Sequence, residues 1–228
     1  GNRAPALSVH PQFQRGSFSK SLNWEKSFND FLQKFLNKAA EEVWVDLGQA
    51  EFTGEYGQKI ERVFLNSFGF GFSSYLLHKL RKQNLGNFSR LDYLRNLVNS
   101  LPFYRAHHVQ LEIDGQAVAP QTCLLGIIQN SSFFRDGFKV SPESKINDGE
   151  LEWIEVKKAT WPKYLLGAIP FATGRSKSLK FVTQRKLKKI KIDALHKNRL
   201  IRVDFDGESR GFLPAHVALL PQKLRILK

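Results

Sequence analysis

Methionine is absent from all 228 residues, and cysteine occurs once, as Cys123. A lone thiol excludes a disulfide within the chain and fits a reducing cytoplasm. A complete translation product carries an initiator, so this chain is expected to be processed, cut or missing some residues. No stretch approaches the roughly 18 consecutive apolar residues of a membrane-spanning helix, and the start has no signal-peptide pattern. Internal repeats and low-complexity tracts are also missing. Acidic residues are scarce, 21 against 35 basic ones, for a formal charge of +14. Such a field selects anionic partners: nucleic acid, anionic lipid or phosphate. The histidines are scattered apart from His107-His108. Adjacent strand residues point to opposite faces, so that pair cannot chelate together. No Ser-His-Asp order is apparent.

The apolar content is ordinary, with hydrophobic residues at 42% and charged residues at 25%, enough for a sizeable core. The 19 phenylalanines are the unusual item, and some of them are expected to line a cleft rather than fill a dense core. Leu7 to Pro11 reads as a short strand ended by proline. Phe28, Phe31, Leu32, Phe35, Leu36, Ala39 and Val43 fall at helical spacing. Trp44 to Gly48 and Lys59 to Phe64 alternate as strands. Ser73 to Leu101 is helical with a break at Gly86-Asn87. Ser89 is the cap of its second part, and Leu91, Leu94, Leu97, Val98 and Leu101 form the expected buried stripe. Strands are then expected at His108–Ile113, Ala117–Gln129, Leu151–Val156, Lys180–Thr183, Lys189–Asp193, Leu200–Phe205 and His216–Leu220, with Asp114-Gly115 as one turn. This spacing predicts an α+β chain dominated by an antiparallel β-sandwich.

Four segments carry a resemblance. Phe64-Leu65-Asn66 … Gly69 … Gly71-Phe72 is the first, and Ser144 to Leu151, with Asn147-Asp148-Gly149, is the second. Third is Val203-Asp204-Phe205-Asp206-Gly207-Glu208, an alternating strand running into an Asp-Gly hairpin turn. A closing stretch contains Leu213-Pro214, Leu220-Pro221 and Leu224 to Leu227. In this order the set resembles the lipid-binding half of the diacylglycerol kinase and sphingosine kinase superfamily, close to its bacterial members. Leu7 to Leu22 resembles the end of that family's nucleotide domain. Its Gly-Thr-x-Asn-Asp core reads Phe13-Gln14-Arg15-Gly16-Ser17 here, and the phosphate-holding glycine loop upstream is absent. The division expected is residues 1–48 as a stub of the nucleotide domain with a linking helix, then 49–228 as the lipid-substrate domain. The tail 213–228 would return toward the first part.

The resemblance implies transfer of the ATP γ-phosphate to a hydroxyl of a diacylglycerol-like or sphingoid-like lipid, with Mg²⁺. Asp206 would be the base and Glu208 its partner as a charge or metal ligand. Ser17, Asn66 and Gly69 would lie toward the nucleotide. Asp148 would hold a structural Mg²⁺ together with carbonyls of Lys145 and Glu150. Read from the residues alone, Asp206-Gly207 is a hairpin tip and Asn147-Asp148-Gly149 a plain turn. Phe68, Phe70 and Phe72 share a strand face, as core or as an acyl pocket. Cys123, in an apolar strand, reads as buried and inert.

From Thr173 to Arg202 eleven lysines and arginines face one acid, Asp193. The tract is a solvated face or a dock for an anionic membrane surface. With only Phe181 to stack, it does not indicate nucleic acid. The chain is expected to be cytoplasmic and peripheral to a membrane, and homodimerisation stays open. Without a phosphate-cradling loop, these residues alone are expected to transfer little phosphate. The rival reading is a non-catalytic lipid-binding module of the same fold; a basic nucleic-acid binder is a weaker third.

Overall fold

The structure is a computed structural model that describes residues 7–8, 17–22, 28–37, 39–82, 90–134, 138–196 and 199–227. Its strands are β1 (Leu7–Ser8), β2 (Glu42–Thr53), β3 (Lys59–Phe64), β4 (Ser67–Gly71), β5 (His107–Ile113) and β6 (Gln116–Gln129). They continue as β7 (Leu151–Lys157), β8 (Val182–Leu187), β9 (Lys189–Ala194), β10 (Arg202–Phe205) and β11 (Glu208–Leu227). The helices are α1 (Ser17–Ser21), α2 (Phe28–Leu36), α3 (Phe72–Lys82), α4 (Arg90–Ser100) and α5 (Trp161–Ala172). The α+β class expected from the sequence holds.

The sandwich does not hold, because the sheet closes. Around a ring, β10 pairs with β4, β4 with β6, β6 with β5, β5 with β9, β9 with β11, and β11 again with β10. The result is a barrel of six strands with two wings: β2 and β3 extend from β11, and β7 and β8 from β6. Strand β11 makes closure work. Its start pairs with β10, and Ala215–Ala218 pair with β9 on one edge and β2 on the other. Between these lies a register shift around Leu213-Pro214. Proline cannot donate to a ladder and sits in strands at such irregularities. Alternating hydrophobicity is the same for two stacked sheets and for one closed sheet, so the pattern could not tell them apart.

Phe52, Phe64, Phe68, Phe70, Trp153 and Ile190 are buried in the barrel core. Phe70 and Trp153 stack with ring centres 6.0 Å apart. Gly126 leaves the room, since a Cβ there would fall 2.3 Å from the Phe70 ring and 2.4 Å from Trp153. A second apolar cluster, with Phe72, Leu76, Leu80, Leu101 and Leu124, packs α3 against the outside of the barrel. Phe72 belongs here and opens α3, so it does not share the strand face of Phe68 and Phe70.

Several element boundaries differ from the sequence pattern. The expected helix through Val43 ends at Leu36. Val43, Trp44 and Val45 pair instead with Ile226, Arg225 and Leu224 of β11. That long-range ladder outcompetes the local helical spacing. The expected division between residues 48 and 49 falls inside β2. The last residues of β11 lie between β2 and β1. Strand β8 starts later than expected, and β11 extends far beyond both ends of His216–Leu220. The α5 helix has little strand-like or helical warning. Its signal is Thr160 at the cap position with Pro162 in the first turn, where a missing N–H costs nothing. The buried stripe of α4 is also corrected. Leu101 and the half-buried Tyr93 and Leu97 face inward, whereas Leu91, Leu94 and Val98 are exposed. Periodicity shows an apolar face but not whether anything covers it. The break at Gly86-Asn87 and the Ser89 cap lie outside the described residues.

Candidate functional site

The hairpin tip between β10 and β11 is built by Asp206 and Gly207, with φ of 44° and 84°. This is the left-handed region that an Asp-Gly turn accommodates. The turn sends the Asp206 carboxylate under the β3–β4 turn. There Oδ1 accepts the N–H of Asn66 at 2.8 Å and of Ser67 at 2.9 Å, and Oδ2 accepts that of Leu65 at 2.8 Å. Asp206 is an exposed residue, and three main-chain amides surround its carboxylate. Burial pushes its pKa above the ordinary carboxylate value, against the pull of the three amides, and the Asp204 carboxylate adds to the rise. A carboxylate oxygen has two acceptor positions. Oδ1 is full, and Oδ2 keeps one.

Glu208 has different company. Its Oε2 accepts from Arg210 Nε at 3.1 Å, and it lines a polar pocket of about 340 Å³ with Glu55, Arg62 and Arg210. The two acids expected to work as a pair share no bonding partner. Asp204, the third acid of the motif, is fully buried and accepts from Ser74 Oγ. Gly69 makes space for it: a Cβ there would lie 3.0 Å from Asp204 Oδ1. Gly69 is therefore buried inside β4. Asn66 accepts from Ser131 Oγ through its carboxamide, and from the Asn130 N–H at 2.9 Å through its carbonyl. Ser17 opens α1; its side chain, like residues 9–16, lies outside the described residues.

Two residues that sequence reasoning missed tie these parts together. Asp46 on β2, 1% exposed, accepts the Gly149 N–H at 2.7 Å and pairs with Lys223 Nζ at 2.7 Å. Asn130 Nδ2 donates to the carbonyls of Asp46 at 2.7 Å and Leu65 at 2.9 Å. The loop after β6 is thereby joined to the turn that holds Asp206. The available signal was a charge inside the apolar run Trp44-Val45-Asp46-Leu47. A third missed residue, Arg81 on α3, donates to the Gly207 carbonyl at 2.9 Å and brings a cation to the hairpin tip.

In the expected Mg²⁺ set the Asp148 carboxylate is already paired. Lys186 Nζ lies 2.9 Å from Asp148 Oδ2 and 2.6 Å from Glu150 Oε2, and the second oxygen of Asp148 takes the Glu150 N–H at 3.2 Å. The two carboxylates hold the Lys186 ammonium well above its usual pKa range. Of the expected ligands the lysine engages the Asp148 carboxylate; Glu150, expected through its carbonyl, meets Lys186 through its side chain. Among the described residues no group of three or more His, Cys, Asp or Glu is placed to hold a metal.

An apolar cavity of about 110 Å³ lies between the helices and the outer face of β6 and β7. Phe72, Leu97, Leu124, Phe138, Phe171 and Phe181 are among its walls. Part of the phenylalanine excess thus lines a hollow, as expected. Four of the eleven cations of the basic tract are paired: Lys177 with Glu143, Lys186 with Asp148 and Glu150, Lys191 with Glu112, and Arg202 with Glu55. Cys123 is fully buried, donates to Glu155 Oε1 at 2.9 Å, and burial pushes its thiol pKa up, so it is inert.

Residues 71–228 match the family model of the YegS C-terminal NAD kinase beta sandwich-like domain. The chain belongs to this family. It is also 25% identical over 227 residues to a diacylglycerol kinase of Bacillus subtilis (strain 168), covering 98% of this chain and 69% of that protein. In fold it is similar to a diacylglycerol kinase from Bacillus anthracis str. Sterne, with a TM-score of 0.62 at 20% identity over 98% of this chain and 66% of that one. Yeast NADH kinase, solved with NADH, gives a TM-score of 0.50 at 10% identity over 87% of this chain and 48% of that one. The family resemblance read from Asn66, Asp148-Gly149 and Asp206-Gly207 is confirmed. Among the described residues no helix is long and apolar enough to cross a membrane.

Proposed function

We propose that this chain is the lipid-accepting part of a kinase that passes the γ-phosphoryl group of ATP to a hydroxyl of a diacylglycerol-like or sphingoid-like lipid. The observation that carries the reading is the apolar cavity behind α3, α4 and α5, with almost no polar lining, in a family with a relative named diacylglycerol kinase. Chain-like apolar groups gain roughly 0.8 kcal/mol per buried methylene in such a space. Asp206 is the base, through the open position on Oδ2. Burial raises its pKa, which makes it a stronger base than an ordinary carboxylate. The amides of Leu65, Asn66 and Ser67 hold the carboxylate in place, and Arg81 adds positive charge where phosphoryl oxygens would collect.

A membrane supplies the lipid. Leu91, Leu94 and Val98 on α4, Phe103 after it, and Trp161, Leu166 and Ile169 on α5 are exposed, Phe103 at 86% and Leu166 at 80%. These apolar residues flank the cavity, and the exposed Arg95 and Lys163 stand among them, an arrangement suited to an anionic bilayer surface.

Dioctanoylglycerol should quench tryptophan fluorescence of the chain saturably, and Ala168→Phe, which fills the cavity, should abolish this. Unchanged quenching in that variant would overturn the lipid site. With a nucleotide-binding domain of the family joined ahead of residue 1, transfer of labelled phosphate from ATP to this lipid should vanish in Asp206→Asn while lipid binding stays; transfer at the parental rate would remove Asp206 as base. A second reading, a non-catalytic lipid-binding module, is favoured by the commitment of Asp206 to three amides. It predicts that lipid binding occurs and that no transfer accompanies it.

A further inference from the structure

The other end of the barrel carries a second concavity, about 730 Å³ in volume, that the kinase reading does not use. It opens where β5 begins, where β7 ends and where β9 ends. Arg105, His108, Lys158, His196 and Arg199 face it, with the Thr122 hydroxyl, and no carboxylate is in its lining. We propose that this pocket binds a phosphate-bearing ligand.

The argument starts from charge. Several cations elsewhere have a carboxylate beside them: Lys59 has Glu51, Lys177 has Glu143, Lys186 has Asp148 and Glu150, and Lys223 has Asp46. Arg105, Lys158 and Arg199 have no carboxylate partner among the described residues. Holding three cations and two imidazoles around one concave space raises their mutual repulsion, and an anion relieves it. Concave walls focus such a field, and guanidinium groups match phosphate oxygens in charge and geometry.

The walls are braced rather than loose. The Leu195 N–H donates to the His108 carbonyl at 3.1 Å and the Lys158 N–H to the Thr122 carbonyl at 2.8 Å. Tyr164 Oη accepts the Ala159 N–H at 2.6 Å and donates to the Lys157 carbonyl at 3.0 Å. His108 Nδ1 lies 2.9 Å from Thr122 Oγ1, and its ring meets His196 edge to face at 5.4 Å.

The site is separate from Asp206. Cys123 of β6 pairs with His107 and Lys157 at this end, and Gln129 pairs with Ser67 and Glu152 at the other. Six residues of strand put roughly 20 Å between them. The site therefore stands whether or not Asp206 is a base. It does touch the apolar cavity, because Leu124 and Tyr164 line both. A phosphate ester bearing an apolar chain can occupy the pair, as can a small phosphate ester alone.

The test titrates the chain at low salt with sn-glycerol 3-phosphate, with glycerol as the phosphate-free control, and sediments it with phosphatidylcholine vesicles with or without phosphatidic acid. Saturable binding that requires the phosphate is expected. The double variant Arg105→Ala/Arg199→Ala should weaken it at least tenfold with an unchanged melting curve. Lys177→Ala/Lys191→Ala, which removes the same charge elsewhere, should leave it alone. Phosphatidic acid vesicles bound in competition with glycerol phosphate identify a lipid headgroup; glycerol phosphate bound without the vesicles identifies a soluble ester. Absence of phosphate-dependent binding in both arms, equal loss in the two double variants, or preference for an oligonucleotide over both probes would overturn the proposal.

Discussion

At the Asp206 end of the barrel the charged groups that matter are acids, and each is satisfied by the protein itself. Asp206 takes three amides, Asp46 takes Gly149 and Lys223, and Asp148 takes Lys186. At the His108 end the charged groups are cations, and the pocket lining offers them no acid. The first end is a knot whose bonds join three loops into one body. The second is a braced hollow whose charge is left open. Internal bonding density distinguishes a carboxylate held in place from a cation set waiting for an anion, and net charge alone does not.

Breaking the wall that the two ends share should have the largest effect. Trp153→Ala, at a fully buried position stacked on Phe70, should cost about 3–5 kcal/mol in urea unfolding. Hydrogen exchange should then lose protection at both Ser67 and His107. Loss at one end only would show that the ends are independent units.

Asp206→Ala comes next. It leaves three N–H groups without their acceptor and should cost about 2–3 kcal/mol, with Asp206→Asn costing less because an acceptor oxygen remains. An unchanged denaturation midpoint in Asp206→Ala would mean that the knot does not depend on it.

The ends should also respond to pH with opposite sign. Burial raises the Asp206 pKa in the folded state. Between the ordinary carboxylate value and that raised value the folded form holds more proton, so this contribution is full at low pH and is lost as pH rises through the folded pKa. For His107, burial lowers the pKa, with Arg199 and His108 adding to the effect. The unfolded chain then binds the extra proton, so this contribution is full above about pH 6.5 and is lost as pH falls through the folded pKa. Stability measured against pH should flatten at the acid limb in Asp206→Asn and near neutrality in His107→Gln. Bound phosphate should raise the His107 pKa and weaken the second effect.

The smallest effect belongs to Lys186. Lys186→Met should lower the melting temperature slightly, as expected of a largely exposed ion pair. In the parent chain, neither EDTA nor added Mg²⁺ should move it. A clear stabilisation by Mg²⁺ would restore the metal at the Asp148 loop.

Local chemistry made part of this legible in advance. Asp114-Gly115 and Asp206-Gly207 were readable as hairpin turns because positive φ restricts the residues that fit. His108–Ile113 was readable because its alternate residues Val109, Leu111 and Ile113 are buried. The buried stripe of α4 misled, since three of its leucine and valine positions face outward. The pairing of Asp206 with Glu208 misled too, since the tight turn gives them different neighbours. Asp46, Asn130 and Arg81 were invisible because each acts on a partner far away in the chain.

Sequence by itself determined the strand-rich class, the acidic hairpin turn, the excess of positive charge and the family, since these depend on residue type and short spacing. Only the tertiary structure decided that the sheet closes into a barrel, that Lys186 pairs with the Asp148 carboxylate, and that five basic residues from separate segments share one hollow. Each of these depends on which distant segments β11 and β6 bring side by side, and pairing across such distances leaves no local trace.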